Sequence, residues 1–276
     1  WTLTNNLISN LISSPTISVL NLKSDTTLGK KNDKIFVTND SYSTWYIMND
    51  KNFNQEFIRK VSNFKKPDVQ YNLIDIGANT GLLTRSLLFN LDNIQNSFLV
   101  EPNKDNIFCI NNNLKNFDNI NIADYSLDIK DGEKKLFIDK NNKGNLSFNY
   151  EMMTRKEDKL NFMNHKENYE IVKSKSTYDY FNEIKNNLKN IIKIDVQGHD
   201  EVIFQEIPNE VLVNTDILII EITPLESKTF NVQKFISKLN CFKKFTNFNN
   251  DILNTDQIHK MIEMKSGKSF DLIFLN

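Results

Sequence analysis

Residues 71–82 read YNLIDIGANTGL. An apolar run through Leu73, Ile74 and Ile76 breaks at Gly77, and apolar residues resume at helical spacing at Leu82, Leu83, Leu87 and Leu88. The pattern predicts a buried strand, a tight glycine turn and a helix N-terminus, which together bring bare backbone N–H groups up to a ligand. The turn spells D-x-G-x-N-x-G through Asp75, Gly77, Asn79 and Gly81. A Cβ at either glycine would hold a ligand off the backbone.

Outward from this stretch, strand and helix patterns alternate. NLIDI precedes TGLLTRSLLFNL, NSFLVEP precedes NKDNIFCINNNLKNF, and INIADYSL is followed by an extended KKLFID. Such alternation predicts an α/β sheet of parallel strands with crossover helices. STYDYFNEIKNNL reads as a helix, NIIKIDVQGHDEVIFQEI as strand, turn and helix, and DILIIEI as a buried strand. CFKKFTNF and SFDLIFLN, with TDQIHKMIEM between them, are expected to finish the sheet as an antiparallel pair. Residues 139–175 are polar and charge-mixed, with a core insertion at about 145–172, read as a solvated excursion or a lid over a substrate. In residues 1–70, KIFVT is a short strand and NQEFIRKVSNF a helix with Phe57, Ile58, Val61 and Phe64 on one face. These 70 residues are expected to be an extension, a cap or an oligomerisation element, and 71–276 one domain.

The 276 residues suffice for one large α/β domain with an elaboration. A net charge of −1 and a pI near 6.4 argue against a surface that drives nucleic-acid binding. Cys109 and Cys241 lie in no CxxC, and no His or Cys stands at metal-ligand spacing, so neither disulfides nor a metal are expected, and a cytoplasmic setting fits. The longest apolar run, ILIIEI, is broken by Glu221 and falls far short of the roughly 20 residues that cross a bilayer. The chain starts at Trp1, which leaves a native start and any signal upstream out of view.

Twenty residues past Gly81 stands Glu101, at the end of SFLVEP, where an acid at a strand tip can grip a ribose diol. Pro102 stiffens the turn after it. A dinucleotide site would place a glycine where Asn79 stands, and Asp75 sets a negative charge where phosphates would approach. A ligand with positive charge and an amino-acid tail, S-adenosylmethionine, is therefore expected over NAD. The other reading of Asp75 is a helix-capping carboxylate.

The residues then resemble a known family. LIDIGANTG, FLVEPNKDNIFCINNNLK, SLDIKDGEKKLFI, STYDYF and, most specifically, IKIDVQGHDEVIFQ resemble the FkbM-type S-adenosylmethionine-dependent methyltransferases, in order from about residue 71 to 223. The resemblance implies a class I, Rossmann-like fold with a mostly parallel seven-stranded sheet and flanking helices. It also implies O-methylation of a hydroxyl on a glycan, glycolipid or secondary metabolite. It assigns Asp75, Gly77, Asn79 and Gly81 to the methionine end, Glu101 to the ribose, and Asp124, Tyr125 and Ser126 to the adenine edge. The family reads K-x-D-V-E-G-x-E where this chain has Lys193, Asp195, Val196 and Gly198 but Gln197 and Asp200. Any role that needs a carboxylate at position 197 is lost.

Methyl transfer to an alcohol needs the acceptor oxygen aligned and its proton removed. Asp195, His199 and Glu221 sit at strand ends on the edge where open α/β sheets bind ligands, and are the candidate base or acceptor-positioning residues. For each there is a plainer reading: His199 packing its own helix start, the acids closing strands. Lys193 in an apolar strand is expected to snorkel or pair, and Tyr125 to stack on adenine or join the core. Cys109, Met152 and Met153 are read as packing, and His165 and His259 as surface residues. An NAD(P)-dependent sugar oxidoreductase, opposed by Asn79, and a non-catalytic binding module on the same scaffold are the rival functions.

Overall fold

The computed structural model describes residues 8–13, 16–39, 54–138, 146–148, 169–184, 187–223, 230–263 and 269–276. Strands β1 (Ile8–Ser13), β2 (Ile17–Leu22) and β3 (Lys34–Thr38) form an antiparallel sheet in that order. Helix α1 (Gln55–Phe64) leads into β4 (Tyr71–Ile76), α2 (Leu82–Asn90), β5 (Ile94–Val100), α3 (Lys104–Asn113) and β6 (Ile120–Ala123). Strands β7 (Ser126–Asp128), β8 (Gly132–Ile138), β9 (Leu146–Ser147) and β10 (Tyr169–Ser176) make a second sheet, ordered β7-β10-β8-β9. The chain continues through α4 (Thr177–Glu183), β11 (Lys189–Ile194), α5 (Asp200–Glu206), α6 (Asn209–Val213) and β12 (Thr215–Ile222). It closes with α7 (Val232–Leu239), β13 (Lys244–Asn247), β14 (Ile252–Leu253), α8 (Thr255–Glu263) and β15 (Phe270–Leu275).

The main sheet is ordered β14-β13-β15-β12-β11-β4-β5-β6. Strands β6, β5, β4, β11 and β12 run parallel, and the chain order reverses between β4 and β11. That is the switch point at which doubly wound sheets open a crevice beyond the strand ends. The sheet has eight strands rather than seven, because the short β14 pairs with β13. The antiparallel pair expected at the end of the sheet is formed by β13 and β15, with β15 inserted antiparallel between β12 and β13, so that β13 runs with the parallel set.

Strand β4 is buried along its whole length, and its neighbours divide their apolar side chains between the two faces. Ile74, Ile192 and Leu218 pack with Phe204, Phe235 and Phe274 on one side; Leu73, Ile191 and Ile217 pack with Leu87 and Val61 on the other. The buried Asn72 is accommodated by a cross-strand ladder, giving a hydrogen bond to Asn190 and taking one from Asn96.

INIADYSL is divided between two sheets, β6 in the main one and β7 in the second. The end of the polar 139–175 stretch is strand β10, where Val172, Ser174 and Ser176 are buried while Ile171 and Lys173 face out. Only one face of such a strand needs apolar or small residues, so its composition reads as a loop. Met152, Met153 and His165 lie outside the described residues. The N-terminal sheet seats Leu20, Leu22, Ile35 and Val37 against Leu82. Arg85 of α2 locks it there, donating to the Leu28 carbonyl and to Asp33. No helix among the described residues is long and apolar enough to cross a membrane.

Candidate cofactor and acceptor site

A cavity of about 550 Å³ opens at the C-terminal ends of β4, β5, β11 and β12, and its walls include Asn79, Glu101, Asn106, Ser126, Asp195 and Glu221.

The glycine loop after β4 is shaped by its neighbours rather than by a ligand. Gly77 has φ 77°, and a Cβ there would stand 2.0 Å from the Asp195 carbonyl oxygen. Gly81 has φ 75° and lies against Ile110. The N–H groups expected to be bare are largely committed. Gly77 and Ala78 both donate to the Val100 carbonyl, Asn79 to Glu101, and Gly81 to the Ala78 carbonyl. Asp75 is 1 % exposed and sits behind this loop, accepting from Thr84 Oγ1 at 2.7 Å and paired with Lys193 Nζ at 3.2 Å. Its charge is thus paired with Lys193 behind the cavity wall rather than presented to a ligand, contrary to expectation. Lys193 in turn donates to the Gly77 carbonyl at 2.7 Å. Burial works against its charge, but Asp75 and Asp195 hold its pKa above the ordinary lysine value.

Glu101, at the tip of β5, is 3 % exposed and lines the cavity. Its Oε2 accepts from the Asn79 N–H and its Oε1 from the Asn103 N–H, each at 2.9 Å. Burial pushes its pKa up to about 7, partly offset by these donors. Asn106, one turn into α3, is also buried and lines the same wall, with neither carboxamide atom hydrogen-bonded. Ser126 lines the cavity too and donates to the Lys173 carbonyl. Asp124 is exposed, and Tyr125 turns away to Tyr180, 6.2 Å between ring centroids, with Lys175 over its ring. Neither lines the cavity among the described residues, and the Tyr125 ring expected to stack on adenine lies instead against Tyr180. Val100, Pro102 and Leu127 supply apolar wall there instead.

Across the switch point, Asp195 follows β11 with its side chain 44 % exposed. Gln197 Nε2 donates to Asp195 Oδ1 at 2.8 Å and reaches Glu221 Oε2 at 3.5 Å, so one amide ties two carboxylates together. Gln197 and Gly198 both have positive φ, and Asp200 braces the turn by accepting from the Val196 and Gly198 N–H groups. Asp271, on β15 directly opposite Glu221, joins the same wall. Sequence reading missed it, although a lone acid inside FDLIFL is a signal.

His199 does not face the cavity. It is 8 % exposed, with Nε2 3.0 Å from Asp128 Oδ1, and Phe148 stands edge-on to its ring at 5.7 Å. Burial pushes its pKa below the ordinary histidine value. With that nitrogen committed, its expected role as base gives way to packing. Phe148 and Leu146, from the start of the polar insertion, do line the cavity, and Ser147 Oγ donates to the Gln197 carbonyl at 2.7 Å. Cys109 is buried and His259 pairs with Glu263 on α8. Among the described residues no three His, Cys, Asp or Glu side chains converge so as to hold a metal ion.

Solved structures that match the chain include an S-adenosylmethionine-dependent methyltransferase from Clostridium acetobutylicum ATCC 824, 8 % identical, covering 85 % of this chain and 97 % of that one, with a TM-score of 0.41. An FkbM methyltransferase from Methylobacillus flagellatus KT is 9 % identical over 85 % of this chain and 55 % of that one, with a TM-score of 0.38. Spermidine synthase from Thermotoga maritima is 14 % identical over 98 % and 73 %, with a TM-score of 0.37. No curated protein matches the sequence. Residues 75–256 match the family model described as the methyltransferase FkbM domain, and the chain belongs to that family.

Proposed function

We propose that the protein transfers a methyl group from S-adenosylmethionine to a hydroxyl of a small-molecule or glycan acceptor. The observation that supports this most is the placement in one cavity of two carboxylates with opposite characters. Glu101 is buried and fixed by backbone donors, whereas Asp195 is half-exposed and held by a side-chain amide. Glu101 would hold the ribose, Val100, Pro102 and Leu127 the purine, and the rim of the 77–81 loop the methionine end. The cofactor supplies an electrophilic methyl group on a sulfonium. A positive ligand centre suits a wall that presents Asp195, Glu221 and Asp271.

Asp195 receives the acceptor hydroxyl's proton, a role in general base catalysis worth on the order of 10²–10⁴ in rate. Gln197 fixes Oδ1 and leaves the other oxygen, 3.7 Å from Lys193, to receive the proton. Holding both reactants in line contributes about 7–11 kcal/mol more. Leu146 and Phe148 wall the cavity from the insertion side and keep water away from the reacting atoms.

Calorimetric titration with S-adenosylhomocysteine and, separately, NADH tests the cofactor; incubation with S-adenosylmethionine and a panel of hydroxylated acceptors, read by product mass, tests the reaction. Binding of S-adenosylhomocysteine alone and a singly methylated product are expected. Binding of NADH alone, or of neither, overturns the reading.

A further inference from the structure

Asn106 raises a problem that the rest of the site does not solve. It is 1 % exposed in the first turn of α3, and its own N–H is satisfied by the Asn103 side chain at 3.1 Å. Its carboxamide lies close enough to Glu101 to help hold that carboxyl's charge, yet neither Oδ1 nor Nδ2 completes a hydrogen bond. A buried polar group left unpaired is destabilising, and a leucine of similar size would avoid that cost.

What the neighbouring Glu101 lacks is what Asn106 has to spare. An ionised carboxylate only accepts, and each Glu101 oxygen already takes one backbone N–H with a lone pair left over. A sugar hydroxyl brings one proton to give and two lone pairs to fill. Glu101 can take the proton; the lone pairs need a donor, and Asn106 Nδ2 stands on the same wall without an acceptor.

We propose that Glu101 and Asn106 form an acceptor–donor clamp for a ribose hydroxyl, in which Asn106 donates to the hydroxyl oxygen and the hydroxyl in turn donates a hydrogen bond to Glu101. The clamp rests on the cofactor reading above and assigns Asn106 as a cofactor-binding residue. The unpaired carboxamide is then a cost carried by the ligand-free protein and relieved on binding. Because the pair satisfies both sides of a hydroxyl, a ligand lacking that hydroxyl leaves the Asn106 carboxamide unpaired and a Glu101 lone pair unfilled, and is discriminated against.

The test is to titrate S-adenosylhomocysteine and its 2′-deoxy analogue into wild type, Asn106→Leu and Asn106→Ala, and to record the melting temperature of each ligand-free protein. Wild type is expected to prefer the ribose form by about tenfold or more, and both variants by less than about threefold, since one hydrogen bond of this kind is worth about a factor of ten. Ligand-free Asn106→Leu is expected to melt at or above the wild-type temperature, which a merely structural asparagine would not allow. A variant that keeps the full preference, or loses equal affinity for both ligands while melting lower, overturns the clamp alone. Wild type that binds neither ligand overturns the cofactor reading and the clamp with it.

Discussion

Residues 77–81 and 195–199 follow adjacent parallel strands and both turn through left-handed backbone, at Gly77, Asn79 and Gly81 in one and at Gln197 and Gly198 in the other. They are built in opposite ways. In the first loop the main chain holds itself, its N–H groups going to the Val100 and Ala78 carbonyls and to Glu101. In the second a side chain from the following helix, Asp200, receives the N–H groups of Val196 and Gly198. The first loop commits most of its donors and offers a ligand chiefly shape. The second leaves Asp195 and Gln197 free to present side-chain chemistry. The two loops also touch, because Gly77 is a glycine in order to pass the Asp195 carbonyl.

The sharpest break of this contrast is Gly77→Ala. A Cβ 2.0 Å from backbone, at φ 77°, is expected to cost roughly 3–5 kcal/mol or to prevent folding, read as soluble yield and denaturant midpoint. The next effect lies in pH. Burial pushes the Glu101 pKa up to about 7 in the folded chain from an ordinary 4.5, so the folded state binds more protons between those values. Stability of the ligand-free protein should then fall as pH rises from about 4.5 to 7, by up to roughly 3 kcal/mol from this group. Melting curves at pH 5 and pH 8 should show that slope, and Glu101→Gln should flatten it in part, since Glu201 is raised similarly by burial. Once an acceptor is found, Asp195→Asn should lower turnover by about 10²-fold or more.

Gly81→Ala meets only Ile110, 3.2 Å away, and should cost about 1–2 kcal/mol, which makes the loop's two glycines unequal in a single thermal scan. The smallest effect is predicted for His199→Gln, whose turnover should stay within about threefold of wild type because the ring faces Asp128 and Phe148.

Much of the fold was legible because YNLIDI, NIIKI and DILIIEI are buried on both faces and so read as unbroken apolar runs. The placement of β15 between β12 and β13 was not, since strand direction depends on pairing partners that local pattern does not record. Strand β10 was hidden by its exposed face, which carries Lys173 and Glu170. At the site, Glu101 and Asp195 could be found from their positions at strand tips. The direction in which a side chain points could not. Tyr125 and His199 are chemically suited to the roles expected of them, but Tyr180 turns the one, and Asp128 and Phe148 hold the other. The ion-pair partner of Asp75 was likewise distant in sequence, and Lys193 turns a charge expected to select the ligand into an internal ion pair.

The central claim is that one cavity is divided into a cofactor end at Glu101 and a chemical end at Asp195, and the affinity of S-adenosylhomocysteine for Glu101→Ala and Asp195→Asn tests it most directly. Glu101→Ala should weaken binding by about tenfold or more, and Asp195→Asn should leave it within about threefold of wild type. Equal losses in the two variants, or unchanged binding in Glu101→Ala, would contradict the division.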